Sequence, residues 1–218
     1  MTRTLSGKVV LITGGSRDFG AFLAETLADQ GADIAISYVA SAARAEAEAV
    51  VEKLKAKGVR AIAVQGNLVA DPTLDATAYD RQWMVNVLGS VTITRAAAQK
   101  ISDGGRIVFI GSGQATRAIV PGVADYAGTK AAISGYARGV QRDLGRRNIT
   151  VNVVQAGIMA TEMAAEAAEN FPQAVIDMHP ISRIATLEEV AGAVSYLVGP
   201  NAAYTAGTII DVSGGVLV

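Results

Sequence analysis

The sequence predicts an α/β fold with a doubly wound parallel sheet, on two observations. Short apolar runs alternate with helical segments across brief connections, and the first run ends in a glycine-rich turn, Thr13 to Gly20 (TGGSRDFG). Lys8 to Ile12 is that first run, mostly apolar as a buried parallel strand should be. Asp18 to Gln30 follows as a helix, with Phe19, Phe22, Leu23 and Leu27 as its apolar positions and Gly31 as its stop. Asp33 to Ser37 reads as a second strand, the Ala/Glu/Lys-rich residues 41 to 57 as a helix closed by Gly58, and Val59 to Val64 as a third strand. Strand, helix, strand, helix, strand is the first half of a three-layer, Rossmann-like sheet.

After Val64 the rhythm fails. Residues 65 to 77 are polar and irregular, with Asp71-Pro72 as a breaker. A helix is then expected from Tyr79 to Lys100, a strand at Arg106 to Ile110, a long helix from Tyr126 to Arg146 and a strand at Thr150 to Val154. Residues 160 to 180 read as a helical insert, Leu187 to Val198 as a helix and Thr208 to Asp211 as the last strand. Only six strands are visible, and a crossover is missing between the third and the run at 106.

Composition narrows the function classes. With 218 residues, half of them hydrophobic, residues 1 to 218 are enough for one domain with one sizeable core. Nineteen basic against 20 acidic residues give no electrostatic case for nucleic acid or an anionic membrane. No cysteine and a single histidine, His179, exclude disulfides, thiolate chemistry and a histidine-rich metal site. No apolar stretch approaches the roughly 20 residues of a membrane span, and the N-terminus lacks a signal core. The chain therefore reads as soluble and cytoplasmic.

A glycine turn between strand and helix brings backbone N–H groups and the helix N-terminus up to a phosphate. An acid at the end of the second strand would accept the adenosine ribose hydroxyls of NAD(H). Here that strand ends Ile36-Ser37-Tyr38, with Arg17 and Arg44 nearby to face a 2'-phosphate. NADP(H) is favoured and NAD(H) stays possible. Asp18, inside the turn, falls at a helix start where aspartate is a favoured cap. Pointed inward instead, its carboxylate would repel the ligand.

Tyr126-Ala-Gly-Thr-Lys130 is the sharpest local signal, because residues four apart share a helix face. An ammonium beside a phenol favours phenolate, and lysine has donors left for a ribose hydroxyl. Ser112 follows a strand at the carboxyl edge of the sheet, placed to hold a carbonyl oxygen while Tyr126 delivers a proton. Asn86 interrupts an apolar stretch and needs partners.

Together these residues resemble the short-chain dehydrogenase/reductase family, and its 3-oxoacyl-[acyl-carrier-protein] reductase branch in particular. The family's Thr-Gly-x-x-x-Gly-x-Gly turn maps onto Thr13, Gly14, Asp18 and Gly20, and its Asn-Ser-Tyr-Lys tetrad onto Asn86, Ser112, Tyr126 and Lys130. The resemblance implies hydride transfer between NAD(P)(H) and a small-molecule or acyl-thioester carbonyl, with Asn86 holding a water that links Lys130 to solvent. It implies cofactor contacts from Gly14, Ser16, Arg17, Asp18, Phe19, Gly20, Tyr38, Asn67, Tyr126, Lys130, Gly157, Ile158 and Thr161. It also implies a homotetramer, to which the apolar C-terminus Gly215-Val216-Leu217-Val218 is suited. The segment GRRNITVNVVQAGIMATEM and the C-terminal ISRIATLEEVAGAVSYLVGPNAAYTAGTIIDVSGG extend the likeness over nearly the whole chain.

The chain departs from the family at three places. Asp18 replaces the middle glycine of the turn, and Ala156 the proline of a Pro-Gly pair. Between Gln65 and Asp71 the fourth strand and the helix before it are missing, roughly thirty residues or one βα unit. Either the chain is a shortened form with impaired activity, which could serve as a dinucleotide-binding scaffold, or residues are omitted from the sequence. An intact mass separates the two.

Overall fold

The computed structural model describes residues 3–67, 78–161 and 173–218. It divides into two compact units, Met1–Asn67 and Leu68–Val218. Among the described residues the fold is a parallel, Rossmann-like α/β arrangement with a reduced strand count, two three-stranded sheets.

In the first unit β1 (Val9–Thr13), β2 (Asp33–Tyr38) and β3 (Ala61–Gln65) lie in the order 1-2-3, all parallel, with Ile12 opposite Ile36 and Ile36 opposite Ala63. Helices α1 (Asp18–Asp29) and α2 (Arg44–Ala56) pack on this sheet and on each other. Phe19, Leu23 and Leu27 of α1 and Val50, Val51 and Leu54 of α2 are buried with Ile34, Ile36 and Tyr38. The alternate strand residues keep their exposure: Val9 68%, Leu11 50%, Ile62 59% and Val64 50%.

In the second unit β4 (Arg106–Ser112), β5 (Thr150–Ala156) and β6 (Ile209–Val212) form a parallel sheet in the order 4-5-6. The expected helix at 79–100 is three pieces: α3 (Ala78–Trp83), a π-helical stretch at Met84–Gly89, and α4 (Ser90–Ala98). The long helix α5 (Ala124–Leu144) packs on β4 and β5 over Phe109, Ile133, Ala137, Val140, Ile149, Val151 and Val153. Of the insert expected at 160–180, residues 162–172 lie outside the described residues, and the rest holds the short α6 (Gln173–Asp177). Helix α7 (Leu187–Val198) packs on all three strands. Every residue of β5 is buried, as cover on both faces requires. The three layers of the fold class are thus visible in this unit.

A bidentate Arg183–Glu189 pair (2.9 and 2.6 Å) and a Thr186–Glu189 capping box start α7. The Arg183 guanidinium and then the Thr186 N–H pull the Glu189 carboxyl down to about 2. No described helix is long and apolar enough to cross a membrane.

Candidate active site

The two units carry different parts of the expected site. In the second, β4 delivers Ser112 at its carboxyl end, where the side chain is buried and its Oγ accepts the Gln114 N–H (3.3 Å). The 3₁₀ turn that follows, Gly113–Ala115, packs against α5. Tyr126 stands in the first turn of α5 and Lys130 one turn later, with Lys130 Nζ 5.7 Å from the centre of the Tyr126 ring. Lys130 Nζ also donates to the Ile110 carbonyl (3.1 Å), which ties α5 to β4 two residues before Ser112. Burial pulls the Lys130 ammonium below the usual lysine range.

Asn86 sits in the π-helical stretch, a distortion that often marks functional sites. Its Nδ2 donates to Thr129 Oγ1 (3.0 Å), and Thr129 Oγ1 donates to the Tyr126 carbonyl (2.8 Å). Asn86 thus reaches α5 through Thr129, a residue that the sequence had not singled out. Thr129 lies inside the Tyr126–Lys130 spacing, but nothing in a one-dimensional pattern pairs it with position 86.

Gly157 follows β5, and its N–H donates to the Val212 carbonyl (2.9 Å). Gly157 and Ile158 line a cavity of about 250 Å³ that Arg183 and Ser213 also border. The Thr161 N–H donates to the Met159 carbonyl (2.9 Å). His179 lines the same cavity but is buried, its Nδ1 donating to the Val175 carbonyl (3.0 Å). Arg147 is engaged by Asp103 and by the carbonyls of Ala98 and Ile101.

The first unit carries the turn. Gly14 has φ +70°, and a Cβ there would meet nothing within 4 Å, so the backbone borders open space. A Cβ on Gly20 would run into the Gly14 carbonyl, so only glycine lets α1 start this close to β1. Phe19 turns its ring into the core, which leaves only its backbone for a ligand. Ser16 is half-buried, and Asn67 is exposed at the end of the unit. Tyr38 is buried at the end of β2, and Arg44 pairs with Glu48 (2.9 Å) on the surface of α2.

Asp18 is not the helix cap that its residue type suggested. Arg17 takes the N-cap, with φ −153°, and Asp18 follows it in the left-handed region at φ +50°. A side chain there strains the backbone, and aspartate is among the few that tolerate it. That geometry is the physical reason for a glycine at this point of the turn.

Among the described residues no three His, Cys, Asp or Glu side chains cluster to hold a metal ion. Residues 8–77 match a family model described as short chain dehydrogenase, and residues 59–217 one described as Enoyl-(Acyl carrier protein) reductase. Versicolorin reductase 1 of Aspergillus parasiticus is 33% identical, covering 97% of this chain and 97% of that protein. That alignment runs over 258 positions, more than the 218 residues here, so part of that enzyme has no counterpart in this chain. A blue fluorescent protein from a metagenomic library, solved in complex with NADPH, superposes with a TM-score of 0.92 at 34% identity, over 99% of this chain and 100% of that one. A short chain dehydrogenase from Burkholderia cenocepacia, solved with NADP, gives a TM-score of 0.89 at 35% identity over the same shares.

Proposed function

The chain belongs to the short-chain dehydrogenase/reductase family, and from that premise we propose that it interconverts a carbonyl and a secondary alcohol with NADP(H), through Tyr126. The observation that carries this reading is the Tyr126–Lys130 pair, with Nζ 5.7 Å from the ring and tied to the end of the strand that presents Ser112. When bound, the nicotinamide cofactor supplies or accepts the hydride at the carbonyl carbon. In reduction Tyr126 gives its proton to the carbonyl oxygen, and the Ser112 hydroxyl holds that oxygen in place. Lys130 contributes positive charge beside the tyrosine and donors for a ribose. Asn86, through Thr129, fixes the turn of α5 on which Tyr126 sits.

The first unit fits the phosphates. Open space at Gly14 and the helix start at Asp18 support a phosphate cradle, and Gly20 lets that helix start close to the Gly14 carbonyl. Gly14, Ser16, Arg17, Asp18, Phe19, Gly20, Tyr38 and Asn67 are the cofactor contacts proposed in this unit. Gly157, Ile158 and Thr161 are those proposed in the second. NADP(H) is favoured over NAD(H) because β2 ends without an acid; two similar proteins were solved with NADPH or NADP.

In finer detail, we assign residues 1–218 to one cytoplasmic domain in a homotetramer. Its substrates are ketones or 3-oxoacyl thioesters, on a fold shortened by one βα unit. The six strands among the described residues and the unmatched positions of the reductase alignment support the shortening. Steady-state turnover of NADPH and NADH with ketones, 3-oxoacyl thioesters and enoyl thioesters tests the reading. Tyr126→Phe should lower kcat by about 10³-fold, the scale of a lost general acid. Cofactor binding without turnover of any carbonyl would favour a scaffold instead.

A further inference from the structure

Two side chains before α4 grip the start of α5, and only Asn86 belongs to the expected tetrad. The other is Trp83, the only tryptophan in the chain. Its Nε1 donates to Asp125 Oδ1 (3.0 Å), next to Tyr126 in sequence. Its ring also lies against Gly128, where a Cβ would come within 3.1 Å of the indole. Three residues on, Asn86 reaches Thr129. The gripped positions 125, 128 and 129 form one stripe of α5 at i, i+3 and i+4; they flank Tyr126 and stop one residue short of Lys130.

The start of α5 needs such a grip. Its N-cap, Val123, offers no side-chain hydrogen bond to the free N–H groups of the first turn, so capping does not restrain that turn against fraying. Tyr126 must nevertheless hold its hydroxyl at one place relative to a reacting oxygen, and a misplacement of about 1 Å can cost 10²-fold.

We propose that Trp83 and Asp125 are positioning residues for Tyr126: the indole N–H fixes the first turn of α5 and the indole ring fixes its face. The proposal rests on the reading of Tyr126 as proton donor. Gly128 suits this contact, since a Cβ there would press on the indole and make it give by a few tenths of an ångström. Asp125 needs only its acceptor oxygen for this role, not its charge.

The test uses the full chain with Trp83→Phe, which keeps an apolar ring over Gly128 and loses the N–H. Asp125→Ala removes the acceptor and Asp125→Asn keeps it. Trp83→Phe and Asp125→Ala should each lower kcat about tenfold, with the NADPH KM within about twofold of wild type. The double variant should be no worse than either single, because both break the same bond. Asp125→Asn should restore kcat to within about twofold. Amide hydrogen exchange should quicken at residues 126–130 in the two damaging variants and stay unchanged in the second half of α5. Unchanged exchange in that turn, or unchanged kcat in an enzyme that turns over, would overturn the proposal. If the wild-type chain reduces no carbonyl, the reading of Tyr126 fails by itself, and the exchange data still decide whether the grip exists.

Discussion

The two sheets are made from similar sequence and buried very differently. In the second unit all of β5 is buried between α5 and α7, and its middle reads Val151, Asn152, Val153, Val154. In the first unit β1 and β3 are just as apolar, yet Val9, Leu11, Ile62 and Val64 are each at least half exposed. Parallel strands are normally covered on both faces; here α1 and α2 cover one. A strand's sequence records the cover it is suited to, whereas its burial records the cover it has. The bare face leaves about 1 kcal/mol of burial unrealised for each large side chain on it.

Variants that separate covered from bare faces sharpen this contrast. Ile36→Ala, on the covered face of the first sheet, should lower unfolding free energy by about 3 kcal/mol in urea titrations. A loss as small as that of a surface variant would mean that α1 and α2 do not cover the sheet as described.

The cover over the second sheet has its own acid limit. Glu189 starts α7, and the Arg183 guanidinium beside it pulls its carboxyl from the ordinary 4.5 down to about 2 in the folded state. Its stabilising contribution is complete above the higher value and disappears as pH falls toward the lower one. Thermal melts should therefore show Tm falling between about pH 4.5 and 2, and Glu189→Gln should flatten that part of the profile. An unaltered profile would show that this pair does not anchor the cover.

Effects at the turn that closes β1 should be smaller. Asp18→Gly removes a side chain from φ +50° and a carboxylate from the phosphate cradle, so NADPH should bind about threefold tighter in fluorescence titration. Weaker binding would mean that the carboxylate supports the turn. Smallest of all, Leu11→Thr on the bare face should change stability by less than about 0.5 kcal/mol. A large loss there would contradict its exposure.

Much of this fold could be read from the sequence, because apolar runs bounded by glycines fix where parallel strands begin. β4 and β5 nevertheless run two residues further than their apolar cores, through Gly111-Ser112 and Gln155-Ala156. Pairing continues there through small and polar residues that carry no hydrophobic signal. The π-helical stretch at 84–89 was hidden because helical periodicity reports a face, not the backbone bonding that interrupts it. Asp18 looked like a cap because residue type alone does not reveal φ.

At the site, Tyr126 and Lys130 were legible because helical spacing puts them on one face, and Ser112 because it follows a strand. The Ile110 carbonyl under Lys130 and Thr129 under Asn86 were not, since each bond joins positions 20 or more apart in sequence. Trp83 and Asp125 escaped notice for the same reason, being 42 residues apart.

Transfer of deuterium from NADPH labelled at nicotinamide C4 tests the central claim most directly. With the deuterium on either face in turn and a ketone as acceptor, mass spectrometry of the product should find one deuterium on the carbinol carbon from one of the two faces. Tyr126→Phe should suppress that product. Unlabelled alcohol from both cofactors, or no alcohol from any carbonyl tried, would contradict hydride transfer as the function of this chain.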